Sequence, residues 1–390
     1  MHSPFLPRSL DRDRKLLCMI EARTGRILRY RTSAERRLPP ETSRSSPTAI
    51  GRIAERDLPL RQSRSYTAAA MEKTFVTARE DRPGDAWLSR FVAGRAEAEK
   101  WYFGQAASAT PTANDCRTAL LQHMPELMPY YDSACALVGD DEVAHRMLSH
   151  YRPAPERFGC SQAVWLGPEG PALIRNFDYP PEIVSERFEM SAWSSLRVIS
   201  KAQRPWGGCV DGMNEEGLAA SVTLGGGRTQ GVGFSIILVI RYILETCRRV
   251  DQAVAALCRI PVALPQNVTV LDRSGHYATL LLGPRQRPII SRLKACTNHQ
   301  RTSRPSSSSM TRQLAIQQAL EEPCMSLSRL TDLFLRPPLY SRSGSYPTLY
   351  TAIYRPAEGR VDYVWPGKRW SHGFDDFQEG GYTHRFGEPV

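Results

Sequence analysis

Nothing in this sequence is apolar for long enough to cross a membrane; the longest such run, Phe234 to Ile240, has the length of a buried helix or strand. The N-terminal stretch also lacks the apolar segment of a signal peptide. Nine cysteines are scattered without a C-x-x-C pair or the Cys/His spacing of a zinc site. No metal-stapled fold is implied, and reduced thiols in a cytoplasmic, reducing compartment are expected. His145 and His150 are five apart, so they do not stack on one helix face as ligands four apart would. Gly225-Gly226-Gly227 lacks both the Lys-Ser/Thr ending of a phosphate loop and the dinucleotide-binding spacing. No cofactor and no metal are therefore expected.

What is abundant is positive charge, and it is local. Of the formal +11, residues 1–70 carry +8, with fourteen Arg and one Lys against seven acids. The remainder is nearly balanced, so the folded part does not read as a nucleic-acid binder. Residues 1–70 are rich in Ser and Pro and have no sustained apolar period. They read as a disordered basic extension, dispensable if translation starts at Met71. The hydrophobic fraction of 41% and mean hydropathy of −0.39 are those of a soluble protein with a sizeable core.

From Pro83 the pattern is helical, with Trp87, Phe91, Gly94, Ala98 and Trp101 on one face. Core packing is the ordinary reason for such a stripe; a ligand wall is the rarer one. Further helical stretches surround Leu120 to Met128, broken by Pro125 and Pro129, and run from about Asp141 to Tyr151. Short strands then return in pairs. Asn267 to Asp272 and His276 to Leu282 flank Arg273-Ser274-Gly275, and Thr348 to Tyr354 and Arg360 to Trp365 flank Pro356 to Gly359. Helical patterns lie at about 233–249, 251–259, 310–320 and 326–335. Hairpins separated by paired helices predict an α+β fold of antiparallel sheets covered by helices.

One hairpin carries chemistry. Arg157 to Trp165 alternates as a half-buried strand, Gly167-Pro168-Glu169-Gly170 is a turn, and Ala172 to Tyr179 is apolar before it turns polar. Antiparallel pairing returns Arg175 and Asp178 to the end where Cys160 sits. A thiol needs a neighbouring cation or base to become a nucleophile, and this arrangement offers both. The plainer reading is that Cys160 is a small buried strand residue and that Arg175 and Asp178 form a structural ion pair.

Four separated motifs favour the chemical reading. Gly159-Cys160, Arg175-Asn176-Phe177-Asp178-Tyr179, Asp211-Gly212-Met213-Asn214-Glu215-Glu216-Gly217-Leu218 and Thr297-Asn298-His299 occur in this order, followed by Thr348 to Ala352 and Trp365-Pro366-Gly367. Together they resemble the N-terminal nucleophile hydrolases, in the group of penicillin acyl-CoA acyltransferases and bile salt hydrolases (choloylglycine hydrolases). The resemblance covers roughly Tyr130 to the C-terminus. It implies a four-layer αββα sandwich over 160–390, preceded by a helical prosegment over 71–159 that is cut from it at Gly159-Cys160 and stays associated.

The same resemblance implies a self-processed cysteine amide hydrolase or acyltransferase acting on non-peptide C–N bonds. Its partner would be a small-molecule amide or acyl donor, acyl-coenzyme A among the options, and a homo-oligomer is compatible with it. Processing frees the α-amine of Cys160, whose ordinary pKa of about 7.7–8.0 suits a base. Were the chain active uncut, His299 or a water held by Asp178 would have to take that proton. Asp178 would orient the amine and thiol, and Arg175 would favour the thiolate or bind the substrate carbonyl. Asn298 offers an oxyanion donor, and Arg312 is a candidate supporting cation. Asn214 is a site candidate or simply a turn former; Asn176 faces away and is structural. Bile salt hydrolases carry another Asn where this chain has Thr223-Leu224-Gly225, which speaks against bile salt specificity. The non-enzyme alternative is an inactive interaction protein with a basic tail.

Overall fold

The computed structural model describes residues 71–104, 111–155, 159–203, 207–227, 229–301, 303 and 305–386. The basic extension 1–70 lies outside the described residues. In chain order, β1 (Met71–Arg79) precedes four helices, α1 (Asp85–Phe103), α2 (Ala113–His123), α3 (Met128–Val138) and α4 (Glu142–Leu148). The hairpin β2 (Gly159–Gly167) and β3 (Gly170–Asp178) follows, then β4 (Arg187–Ser191), β5 (Val198–Ala202), β6 (Cys209–Asn214) and β7 (Leu218–Leu224). Helices α5 (Ile236–Thr246) and α6 (Val250–Arg259) lead to β8 (Gln266–Asp272), β9 (Tyr277–Leu282), β10 (Ile289–Ser291) and β11 (Ala295–Cys296). The last elements are α7 (Ser307–Glu321), α8 (Leu327–Phe334), β12 (Thr348–Arg355), β13 (Arg360–Trp365), β14 (Lys368–Gly373) and β15 (Gly380–Phe386).

Local signals account for the helix ends. Thr112 and Asp115 form a reciprocal capping box at α2, and Asp141, Ser306 and Ser326 accept from the first turns of α4, α7 and α8. Pro125 stops α2 short, and Pro129 sits in the first turn of α3, where a missing N–H costs nothing.

The strands form two sheets. One has nine strands in the order β10-β9-β8-β7-β6-β5-β4-β1-β15, and the other six in the order β11-β2-β3-β12-β13-β14. Helices α5 and α6 pack on the first sheet, α7 and α8 on the second, and β2 and β3 meet β7 and β8 between them. The architecture is the αββα sandwich. Period-two alternation sorts the hairpin: Cys160, Val164, Leu173 and Phe177 join the large core between the sheets, whereas Ala163, Trp165, Ala172 and Ile174 pack toward α7 and α8. Among the described residues no helix is long and apolar enough to cross a membrane.

The segment before Cys160 differs from expectation in one respect. It contains its helices, but it also donates β1, which lies inside the nine-stranded sheet, antiparallel to β15 and parallel to β4. Among the residues of this strand whose burial is described, Phe75 and Thr77 alone are buried, so its apolar alternation is too sparse to read. Phe75 is wedged between Phe188 and Trp365, with ring centroids at 5.6 and 5.4 Å.

His372 on β14 is 1% exposed, with Trp370 and Phe377 rings each 5.0 Å away. Burial lowers its pKa to about 4, against about 6.5 in an unfolded chain. The unfolded state then binds the proton first, so this group's contribution is intact above pH 6.5 and is lost as pH falls toward 4. Melting temperatures measured from pH 7 down to pH 4.5 should fall, and His372→Phe should flatten the decline. An equally steep fall in the variant would remove His372 as a cause.

Candidate active site

The first residues of β2 pair with the last of β3, Gly159 with Asp178 and Cys160 with Phe177. Cys160 is 0% exposed. Its thiol accepts from Arg175 Nη2 at 2.9 Å, and its backbone N–H donates to Asn298 Oδ1 at the same distance. Register explains Asn298: β11 pairs with β2 through Cys296 and Gln162, and continuing that ladder sets position 298 opposite 160. Burial pushes the Cys160 thiol up to about 11, with Arg175 pulling against it.

Arg312, from α7, ties the junction together. Its Nη1 donates to Cys160 O at 2.6 Å and Ser161 Oγ at 2.7 Å, and its Nη2 to Asn298 Oδ1 at 2.9 Å. The same guanidinium stands 3.7 Å from Asp178 Oδ2. Asp178 also accepts from Thr348 Oγ1 at 2.7 Å. Burial raises the Asp178 pKa, opposed by Arg312 and Thr348. A Cβ built on Gly159 would stand 2.8 Å from Asp178 Cβ, closer than side chains tolerate, so only glycine lets the carboxylate lie against this peptide. His299 sets Nδ1 2.8 Å from Ser309 Oγ at the start of α7, and burial lowers its pKa.

Arg175 is held from below by residues the sequence reading did not single out. Its Nη1 donates to Val210 O and Asp211 Oδ2, each at 2.5 Å. Asp211 also accepts from Tyr350 Oη at 2.6 Å and from Tyr354 Oη. Burial pulls the Arg175 pKa down, but Cys160 and Asp211 outweigh it and keep the guanidinium charged. Lys201 pairs with Asp211 in register, is fully buried, and has its pKa lowered to about 7 by burial.

Asn214 is not brought to this group. It stands three residues after Asp211 on β6, hence on the opposite face. Its Nδ2 donates to Leu244 O and Cys247 O at the end of α5, and its Oδ1 accepts from Leu218 N, closing a turn in which Gly217 has a φ of 79°. Asn176 likewise faces α8, donating to Phe334 O and Leu339 O. The signal for Asp211 lay in the quoted motif itself, where strand parity separates it from Asn214. Tyr350 lay in the quoted run Thr348 to Ala352 and Tyr354 in the hairpin strand that continues it, and neither was given a site role.

A cavity of about 1030 Å³ opens beside this end of the hairpin, between α1 and the loop 179–187. Tyr179, next to Asp178, and Pro155, on the stretch leading toward Gly159, belong to its wall. Gly94 and Trp101 of the stripe on α1 line it too, whereas Trp87 and Phe91 stack in the core at 5.3 Å. Among the described residues no cluster of three or more His, Cys, Asp or Glu could hold a metal ion.

A comparison with curated protein sequences finds no match. Solved structures with a related arrangement include a mutant conjugated bile acid hydrolase from Clostridium perfringens, at 11% identity and a TM-score of 0.42 over 57% of this chain and 96% of that one. They include penicillin V acylase from Agrobacterium tumefaciens, at 14% identity and 0.40 over 55% and 86%. A third is the Caenorhabditis elegans ortholog of N-acylethanolamine-hydrolyzing acid amidase, at 13% and 0.36 over 51% and 93%. The sequence profile described as acyl-coenzyme A:6-aminopenicillanic acid acyl-transferase matches residues 165–370, a span that begins just after Cys160 and takes in Arg175, Asp178, Asp211, Asn298 and Arg312. Matched over more than half its length, the chain belongs to the acyl-coenzyme A:6-aminopenicillanic acid acyl-transferase family.

Proposed function

We propose that this chain is a self-processed cysteine amide hydrolase or acyltransferase acting on C–N bonds other than ordinary peptide bonds, with Cys160 as nucleophile. One observation carries the reading: the backbone N–H and the thiol of Cys160 are both held, by Asn298 and Arg175, at a glycine junction packed against Asp178. In processing, Sγ adds to the Gly159 carbonyl carbon, the Gly159–Cys160 C–N bond breaks, and the departing amine takes the thiol proton. Water then hydrolyses the thioester, leaving the Gly159 carboxylate and restoring the thiol. The new α-amine sits on the same residue as the sulfur and serves as its base. Asp178 orients this amine, and Arg312 supports the site through Cys160 O and Asn298 Oδ1.

In turnover the amine takes the Sγ proton and the thiolate adds to the substrate carbonyl. With its Oδ1 turned to the Cys160 nitrogen, Asn298 has Nδ2 as the donor end for the oxyanion. The leaving amine departs with the proton, and water or a second amine then attacks the thioester and frees the sulfur. Residues 71–159 form the small piece in this scheme, 160–390 the large one, and 1–70 a dispensable extension. The eight cysteines among the described residues are free thiols, which supports a reducing, cytoplasmic setting.

Intact mass and N-terminal sequencing of purified protein should find a large piece beginning at Cys160, labelled by iodoacetamide there. Cys160→Ala should give one uncut, inactive chain. Active but uncut wild type would discard the α-amine as base; uncut wild type inert to thiol reagents would favour the interaction-protein alternative. Asn298→Ala should lower kcat by about 100-fold or more with fold and labelling preserved, and near-normal turnover would take Asn298 out of the site. The pieces should co-elute on size exclusion because β1 stays in its sheet. Phe75→Ala should cost about 3–5 kcal/mol and loosen the small piece; unchanged co-elution and stability would show that β1 does not hold it.

A further inference from the structure

Asn298 stands where regular pairing has stopped. Strand β11 ends at Cys296, so Thr297-Asn298-His299 lies beyond its ladder and the carbonyls of this segment need partners from elsewhere. They find them across the sandwich, on the nine-stranded sheet. Asn267, 0% exposed on β8, donates from Nδ2 to Thr297 O at 3.0 Å and to His299 O at 3.1 Å. Thr223 of β7, its partner in register, adds a bond from Oγ1 to Thr297 O at 2.8 Å. One amide thus holds the carbonyls before and after Asn298. Its work is donation alone, for among the described residues its Oδ1 accepts nothing.

The glycine triplet that follows β7 closes the other side. Gly226 has a φ of 76°, and a Cβ there would stand 2.8 Å from Asn298 O and 2.9 Å from Ser303 Oγ; one on Gly225 would stand 2.8 Å from Gln300 Nε2. Glycine at 226 is what lets this backbone lie against the Asn298 carbonyl. The triplet that lacks the marks of a phosphate loop is the seat of the 297–300 segment.

We propose that Asn267 is the positioning residue of Asn298. It fixes the backbone on either side and, through it, the side chain whose Oδ1 faces the Cys160 nitrogen at 2.9 Å. The role rests on the catalytic reading of Asn298 given above and traces the placement of that oxyanion donor to a strand of the opposite sheet.

Hydrogen exchange reads this placement without substrate. In the full-length Cys160→Ala chain labelled with nitrogen-15 alanine, the amide at position 160 still donates to Asn298, and Ala163 and Ala172 report on the hairpin ladder beside it. Asn267→Ala should speed exchange at position 160 by about tenfold, the order of one hydrogen bond, with Ala163 and Ala172 unmoved. Thr223→Val should give a smaller acceleration in the same place, and keeps the test if the larger truncation unsettles the fold; Asn298→Ala should give the largest. Equal acceleration throughout the hairpin would make Asn267 merely structural and overturn the proposal, as would no change at position 160.

Turnover of an N-acyl p-nitroanilide, counted per iodoacetamide-labelled Cys160, adds a double-mutant cycle. Asn267→Ala should lower kcat by about tenfold with KM nearly unchanged, and should lower it no further in the Asn298→Ala background. Additive losses would mean that Asn267 acts elsewhere. A failure of the catalytic reading looks different. Asn298→Ala would then turn over normally while exchange at position 160 still responded to Asn267→Ala, whereas an unresponsive amide with Asn298→Ala impaired sinks the positioning role alone.

Discussion

A guanidinium that water cannot reach has to be answered by acceptors on several sides, and Arg175, 0% exposed between two sheets, sets that demand. One side is met by Asp211 and Val210 O from the nine-stranded sheet, another by the Cys160 sulfur on the neighbouring strand. Asp211, buried in turn, needs Tyr350 and Tyr354. The thiol therefore sits at the end of a chain of obligations that crosses the sandwich, and its position is fixed by the packing of both sheets. Removing one partner from such a pair leaves an uncompensated buried charge, at about 3–5 kcal/mol.

This also assigns different work to the two cations at the junction. Arg175 faces the sulfur and is locked by its own carboxylate, so it tunes the thiol. Arg312 comes from a helix on the outer layer, reaches the Cys160 carbonyl and the Asn298 oxygen, and leaves Asp178 a looser neighbour at 3.7 Å. It shapes the backbone around the bond proposed to break. Flanking that bond with a cation bonded to Cys160 O and a carboxylate packed against Gly159 requires position 159 to lack a side chain, which explains a glycine at the start of a strand, where glycine is otherwise unfavourable.

Much of this was legible because strands alternate and hairpins fix register. The turn at Gly167 to Gly170 determines that Gly159 meets Asp178, and the chemistry at that end follows from counting. Parity could have been applied to β6 as well, where it separates Asp211 from Asn214; reading the motif as a turn alone hid a strand with two faces. Arg312 was harder to place because it reaches the site across layers from a helix whose sequence says nothing about its partners. The strand β1 was invisible for another reason. Flanked by strands on both sides and anchored chiefly by Phe75, it draws its stability from hydrogen bonds and the aromatic contacts of that one side chain, and neither leaves an apolar period.

That hidden strand changes what the proposed cleavage does. A prosegment that merely capped the nucleophile could leave once cut, and the site would open by its loss. Here the same segment supplies a strand of the main sheet and, through α1, one wall of the cavity that Tyr179 also lines. Cutting at Gly159 then releases a chain end and leaves the piece in place. The end is freed where Asn298 and Arg312 already grip the new terminus, so the amine would be born in position, with no reorganisation of the sheets required to bring it there. The proposed cut would therefore fall at the end of a segment that the nine-stranded sheet holds through β1.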